Sequence, residues 1–163
     1  SSYNWEPWYE AARYCYDEKI APEKVLGYVD HSIALQANFE NQSLKADILN
    51  AQGKTTEAAA MKKQMIDGAN NAQLNTYAYT LLNKGEKAEA VKMFELNVKR
   101  NPTDANAHDS LGEGYMMNDQ KDLAIRSFKK SLSLNPAENV KANSVRCLKK
   151  LGVDTSGYET AGK

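Results

Sequence analysis

The chain has 163 residues, enough for one domain of ordinary size. Its 21 Lys and Arg balance 21 Asp and Glu, so the formal net charge is zero, which argues against a nucleic-acid binder with a basic surface. No apolar run approaches the roughly 18 residues a membrane span needs. Two cysteines and two histidines without a Cys-x-x-Cys pair argue against a zinc site.

The composition is rich in Ala, Leu, Lys, Glu and Asn and holds only 4 Pro and 9 Gly, a helix-forming mixture. The first stretch, "SSYNWEPWYE", lacks a basic n-region and an apolar h-region, so no signal peptide is read there. It also lacks an initiator Met. That fits a processed or excised chain and leaves a periplasmic or secreted origin open.

The first predicted pair of helices lies in "WYEAARYCYDEKIAPEKVLGYVDHSIAL". Trp8, Ala11, Ala12 and Cys15 line its first helix. Val25, Val29, Ser32 and Ile33 line its second, with His31 on the polar side. The second pair lies in "ADILNAQGKTTEAAAMKKQMI", with Ala46, Leu49 and Ala58 at packing positions. Lys62 falls where an aromatic residue is wanted, so Met61, Met65 and Ile66 are expected to fill that space.

The third and fourth pairs are related by a strict interval. Leu74, Tyr77, Ala78, Leu81, Ala90, Phe94 and Pro102 recur 34 residues later as His108, Leu111, Gly112, Tyr115, Ala124, Phe128 and Pro136. The large residues at offsets three, four and seven make one apolar helix face. Ala78 or Gly112 permits close approach of a partner, Ala90 or Ala124 marks a helix crossing, and Phe94 or Phe128 fills the space between helices. Asn-Pro then stops the second helix. After Pro136, Val140, Val145, Leu148 and Leu151 predict one more helix, ended by Gly152, and "VDTSGYETAGK" is polar and expected to fray.

This skeleton resembles the tetratricopeptide repeat (TPR), a helix–turn–helix unit of 34 residues. The resemblance is strongest over residues 71–138. It implies an all-α fold: a right-handed α-α superhelix, or TPR solenoid, over residues 1–152. Its repeats fall at about 5–37, 38–70, 71–104 and 105–138, followed by a capping helix at 139–151 and a polar tail at 153–163. "WYEAARYC" and the stretch from "VLGYVDHSIAL" onward are also similar to the C-terminal region of bacterial domain-of-unknown-function proteins, in which a β-rich domain precedes helical repeats. The stretches from "LNTYAYTLL" to "SLSLNP" look like modules appended to bacterial exported hydrolases. These likenesses imply a C-terminal piece of a longer chain and supply no catalytic residue.

In the TPR resemblance the first helix of each pair, helix A, lines a concave groove. The groove positions are then Tyr9, Arg13 and Tyr16 in the first pair and Ser43, Asp47 and Asn50 in the second. The third gives Asn75, Tyr79, Leu82 and Asn83, and the fourth Asp109, Glu113, Met116 and Met117. The groove chemistry best known for the repeat is a Lys, Arg and Asn clamp on a peptide's terminal carboxylate. Asp47, Asp109 and Glu113 stand in its place, which favours a basic segment as partner. Tyr and Met supply adaptable apolar contact.

No catalytic constellation is found, and no cofactor is implied. Ser127-Phe128-Lys129-Lys130 matches S-x-x-K, but Phe128 is a core position and no K-T-G or S-D-N follows. "GEG" at 112–114 sits mid-helix with no strand before it. His108 takes a packing position, and Cys15 and Cys147 are expected as separate thiols. Asn41-Gln42-Ser43 is a formal glycosylation sequon. The Lys-rich pairs 62–63, 99–100, 129–130 and 149–150 suit a solvated outer face. The expectation is a non-catalytic protein-binding scaffold. The alternative is a support module that packs on an upstream β-rich or hydrolase domain of the same polypeptide.

Overall fold

The structure, a computed structural model, describes residues 4–159. Among them are ten α-helices and no strand. They are α1 Glu6–Asp17, α2 Pro22–Leu35, α3 Phe39–Ala51, α4 Thr55–Asp67, α5 Asn71–Asn83, α6 Lys87–Arg100, α7 Ala105–Met117, α8 Lys121–Ser133, α9 Glu138–Lys150 and α10 Ser156–Glu159. The chain divides into two compact units, Ser1–Ala69 and Asn70–Lys163. The sequence read as one array over 1–152, so this division was not visible in the repeat pattern.

Each unit is built from consecutive helix–turn–helix pairs. In the first, α1 packs on α2 and α3 on α4, while α3 also touches α1 and α2. In the second, α5 packs on α6 and α7 on α8. There α7 also packs on α5 and α6, and α9 on α7 and α8. A helix therefore meets both its own partner and the pair that follows. One pair alone could not bury its apolar face, and stacking supplies the missing cover.

The turns inside the pairs share one device. Helices α1, α3, α5, α7 and α9 each end two residues before a left-handed residue: Lys19, Gly53, Gly85, Asp119 and Gly152, with φ between 55° and 82°. The next amide donates back across the turn. Ile20 N bonds Cys15 O, Lys54 N bonds Leu49 O, Glu86 N bonds Leu81 O, Gln120 N bonds Tyr115 O and Val153 N bonds Leu148 O. This is the Schellman closure, which satisfies carbonyls that the helix leaves open.

In the second unit Leu74, Ala78, Ala90, Phe94, Ala124, Phe128 and Leu148 are each fully buried. The small residues of the repeat are cut to the aromatic rings. A Cβ added to Gly112 would lie 2.6 Å from a Phe128 ring carbon, and one added to Gly114 would lie 2.7 Å from the Phe94 ring. The first unit has an aliphatic core of Ala12, Val25, Val29, Leu44 and Ile48, flanked by Tyr9, Tyr16 and Tyr28. Met65 is buried and Met61 and Ile66 are half-buried around Lys62, as expected for a site lacking Phe.

Two places differ from the sequence reading. Trp8, expected along the core face of α1, is exposed, its ring lying 4.2 Å from that of His31 and 6.1 Å from that of Tyr28. Ala12, expected on the same face, is fully buried. The segment after α9, expected as a frayed polar tail, turns back over its described length. Thr155 is buried, Lys149 pairs with Glu159 at 2.6 Å, and α10 begins 35 residues after α8. The described end of the chain thus folds back on α9 through Glu159 instead of fraying.

Candidate functional site

In the second unit, equivalent residues of successive A helices meet side by side. The Tyr79 hydroxyl on α5 donates to Glu113 Oε2 on α7 at 3.1 Å. Asn143 Nδ2 on α9 donates to Glu113 Oε1 at 2.6 Å and to Asp109 Oδ2 at 2.8 Å. Ser144 Oγ donates to the other Asp109 oxygen, and Arg146 donates to Asn143 Oδ1. Tyr79 and Glu113 stand 34 residues apart, as do Asp109 and Asn143, so the 34-residue interval becomes a lateral ladder.

Burial sets the protonation chemistry of this ladder. Desolvation raises the Asp109 carboxyl above the usual range, against the opposing bonds from Ser144 and Asn143. Tyr79 is pushed well above the ordinary phenol value, first by burial, with Glu113 adding to it. Its ring packs edge-on against Phe94 at 5.0 Å. Burial also raises the Cys147 thiol, and Glu113 and Asp109 add to the effect. On the opposite side of α7, Tyr115 donates to Glu95 at 2.6 Å and is raised to about 12, by burial first and that bond second.

Of the residues expected to face a ligand in this unit, Tyr79, Asp109 and Glu113 are brought together. Asn83 is exposed and Met116 half-buried. The Asn75 Oδ1 is buried without a hydrogen-bond partner. Leu82 is half-buried and Met117 is exposed. Asn143 and Ser144 were missed in the sequence because α9 read as a cap. Adding 34 to Asp109 and Ser110 would have found them.

In the first unit, Arg13 on α1 pairs with Asp17 at 2.9 Å. Tyr16 is half-buried between two acids. Its phenol is raised first by burial and then by Asp47, with a smaller push from Asp17. Asp47 and Ser43 are half-buried on α3, and Asn50 is exposed. Tyr9 packs edge-on to Trp5 at 5.7 Å rather than standing free. Beside Tyr16 lies a cavity of about 420 Å³, lined by Cys15, Tyr16, Asp17, Lys19, Ile20, Pro22, Val25, Ile48, Ala51 and Gln52.

The remaining motifs have structural places. Asn41 is fully buried, so its sequon is closed to modification in the fold. Its amide donates to Ser32 Oγ at 3.1 Å and Gln36 O at 2.8 Å, while its oxygen caps Asn38 N at 2.9 Å. His108 is buried with Nε2 2.9 Å from Pro102 O. Ser127 is buried and Lys130 exposed. Cys15 and Cys147 are both free thiols. Among the described residues no cluster of three His, Cys, Asp or Glu could hold a metal, and no helix is long and apolar enough to cross a membrane.

Comparison with protein-family models and with curated proteins returned no match. Solved structures do match. A piece of MamA (41-end) from Desulfovibrio magneticus RS-1 is 17% identical with a TM-score of 0.52, covering 90% of this chain and 84% of that one. YrrB, described as a TPR protein with an unusual peptide-binding site, is 14% identical with a TM-score of 0.52, covering 98% and 83%. A tetratricopeptide repeat protein from Parabacteroides merdae is 19% identical with a TM-score of 0.53, covering 91% and 60%. At these identities the likeness is one of fold, and the chain has the tetratricopeptide-repeat fold.

Proposed function

We propose that this chain of tetratricopeptide-repeat fold is a non-catalytic protein-interaction module that receives a segment of a partner protein on its A-helix faces. The observation that carries the reading is the Tyr79–Glu113–Asn143–Asp109 ladder. These are polar groups at equivalent repeat positions, fixed by one another before any partner arrives. Binding then costs less side-chain ordering than it would on a mobile polar face. YrrB, of the same fold, is described as having a peptide-binding site. The ladder also changes the expected partner in the second unit. Donors from Tyr79, Asn143 and Ser144 already occupy the Asp109 and Glu113 carboxylates. The acid better placed to meet a basic segment is Asp47 in the first unit, which makes no ion pair among the described residues.

Capture from native lysate tests this reading. Wild type and a Tyr79→Ala, Glu113→Lys variant are compared, with folding of the variant checked by circular dichroism. The variant is expected to lose specific partners, and identical partner profiles would count against binding on this face.

A second reading is favoured by Trp8 and Tyr14, which are 37% and 62% exposed on α1. Tyr14 stands largely in water, and Trp8 stays partly exposed beside His31 and Tyr28, which suits a surface that packs on another domain of the same polypeptide. A Trp8→Ala, Tyr14→Ala variant separates the two readings. It should leave lysate capture intact if those rings meet only a neighbouring domain.

A further inference from the structure

The first unit holds a cavity that the ladder does not use, at the end of the first helix pair where α1 and α3 both terminate. Its walls are mostly apolar: Tyr16, Ile20, Val25, Ile48 and Ala51. At about 420 Å³ it falls within the roughly 300–1,000 Å³ range of ligand sites. Its rim is built differently from its walls. Asp17 and Ala51, the last residues of α1 and α3, both line it, and their carbonyl oxygens accept no hydrogen bond among the described residues.

Neither helix carries a basic residue in its last turn to offset the negative end of its dipole. Asp47 adds a second acid beside Tyr16, and it shares the single guanidinium of Arg13 with Asp17, which holds the direct ion pair. Lys19 is the opposing charge on the rim. Residues 1–69 contain seven Lys and Arg against ten Asp and Glu. The surroundings thus favour a cation beside an apolar body.

The turn that closes the cavity is also strained. Ile20 is flanked by Lys19 at φ 55° and Ala21 at φ 45°, left-handed positions that disfavour any side chain with a Cβ. Ile20 nevertheless remains 46% exposed over the opening.

We infer that this cavity seats an apolar side chain of a basic peptide segment, whose flanking Lys or Arg residues meet Asp47 and the open carbonyl ends of α1 and α3. The inference rests on the interaction reading above and names the chemistry of the partner.

Cys15 lines the cavity and is half-buried, so its reactivity reports occupancy. Buried Cys147 is the internal reference. The full chain is treated with N-ethylmaleimide, and modification at each cysteine is followed by mass spectrometry. The probe is acetyl-Lys-Lys-Leu-Phe-Lys-Lys-amide. Controls replace every Lys with Glu, or Leu-Phe with Ser-Ser.

The basic apolar peptide should slow Cys15 modification about tenfold at ten times its dissociation constant, and neither control should. Asp47→Lys should weaken binding about tenfold, and Lys19→Ala should strengthen it. Ala51→Phe, placed on an exposed helix end, should fill the opening and abolish protection without unfolding the chain.

Calorimetric binding of the peptide with an unchanged Cys15 rate would remove the cavity from the account and leave the interaction reading standing. Equal protection by the Ser-Ser peptide would refute the apolar seat. Equal protection by octylammonium would reassign the cavity to free amines and overturn the peptide inference.

Discussion

Replacing Gly112 with Ala sets two opposing effects against each other at one atom. A mid-helix Gly→Ala exchange ordinarily gains up to about 1 kcal/mol from backbone entropy. Here the new Cβ would stand 2.6, 2.7 and 2.9 Å from three ring atoms of Phe128. That ring is fully buried. Overpacking of this kind costs about 1–3 kcal/mol. The net expectation is a loss of about 1–2 kcal/mol. With a urea slope of about 2 kcal/mol/M, the midpoint of the second unit should fall by about 0.5–1 M.

Gly27, also mid-helix, is the control. A Cβ there meets nothing within 4 Å, so Gly27→Ala should stabilise the first unit by about 0.5–1 kcal/mol. Trp5 and Trp8 are the only two tryptophans and both belong to the first unit. Fluorescence therefore reports that unit, and far-UV circular dichroism reports all helices. A Gly112→Ala, Phe128→Leu double variant should be less destabilised than the sum of its parts, because the smaller side chain admits the methyl group. A Gly112→Ala midpoint at or above wild type, or strict additivity in the cycle, would refute the steric argument.

Three further outcomes follow from the buried polar groups and the turns. Asn41→Ala leaves Ser32 and the Gln36 carbonyl without the amide that bonds them; it should cost about 2–3 kcal/mol, read by tryptophan fluorescence in urea. Ala21→Gly relaxes a left-handed residue at φ 45°, ψ 49° and should raise stability by about 0.5–1 kcal/mol in the same assay. Because burial raises the Asp109 carboxyl, the native chain holds that proton more tightly than the unfolded chain does. The associated stability is full below the unfolded value of about 4 and is lost as pH rises through the native value. The stability of wild type relative to Asp109→Asn should therefore fall with rising pH across that window, and a flat difference would show that Asp109 does not titrate there.

Much of the fold was legible in residue spacing because helices report themselves locally. Offsets of three, four and seven place residues on one face whatever lies opposite. Asn-Pro and the left-handed turn residues end helices through their own backbone chemistry. The interval of 34 residues from Leu74 to His108, and from Phe94 to Phe128, therefore declared stacked helix pairs before any contact was seen. The same local signals named Tyr79, Asp109 and Glu113 as neighbours on A-helix faces.

What spacing could not decide was which groups would satisfy one another across helices. Such bonds depend on the rotation and depth of each helix to fractions of a turn. The tertiary structure placed Asn143 and Ser144 on the Asp109 carboxylate, so an acidic face open to cations in the sequence is internally bonded in the fold. It turned Trp8, expected on the core face of α1, outward against His31 and Tyr28 of α2, contacts between two helices that no single helix encodes. It also brought the ends of α1 and α3 and the start of α2 around one apolar cavity, a juxtaposition of three separate segments that only packing could create.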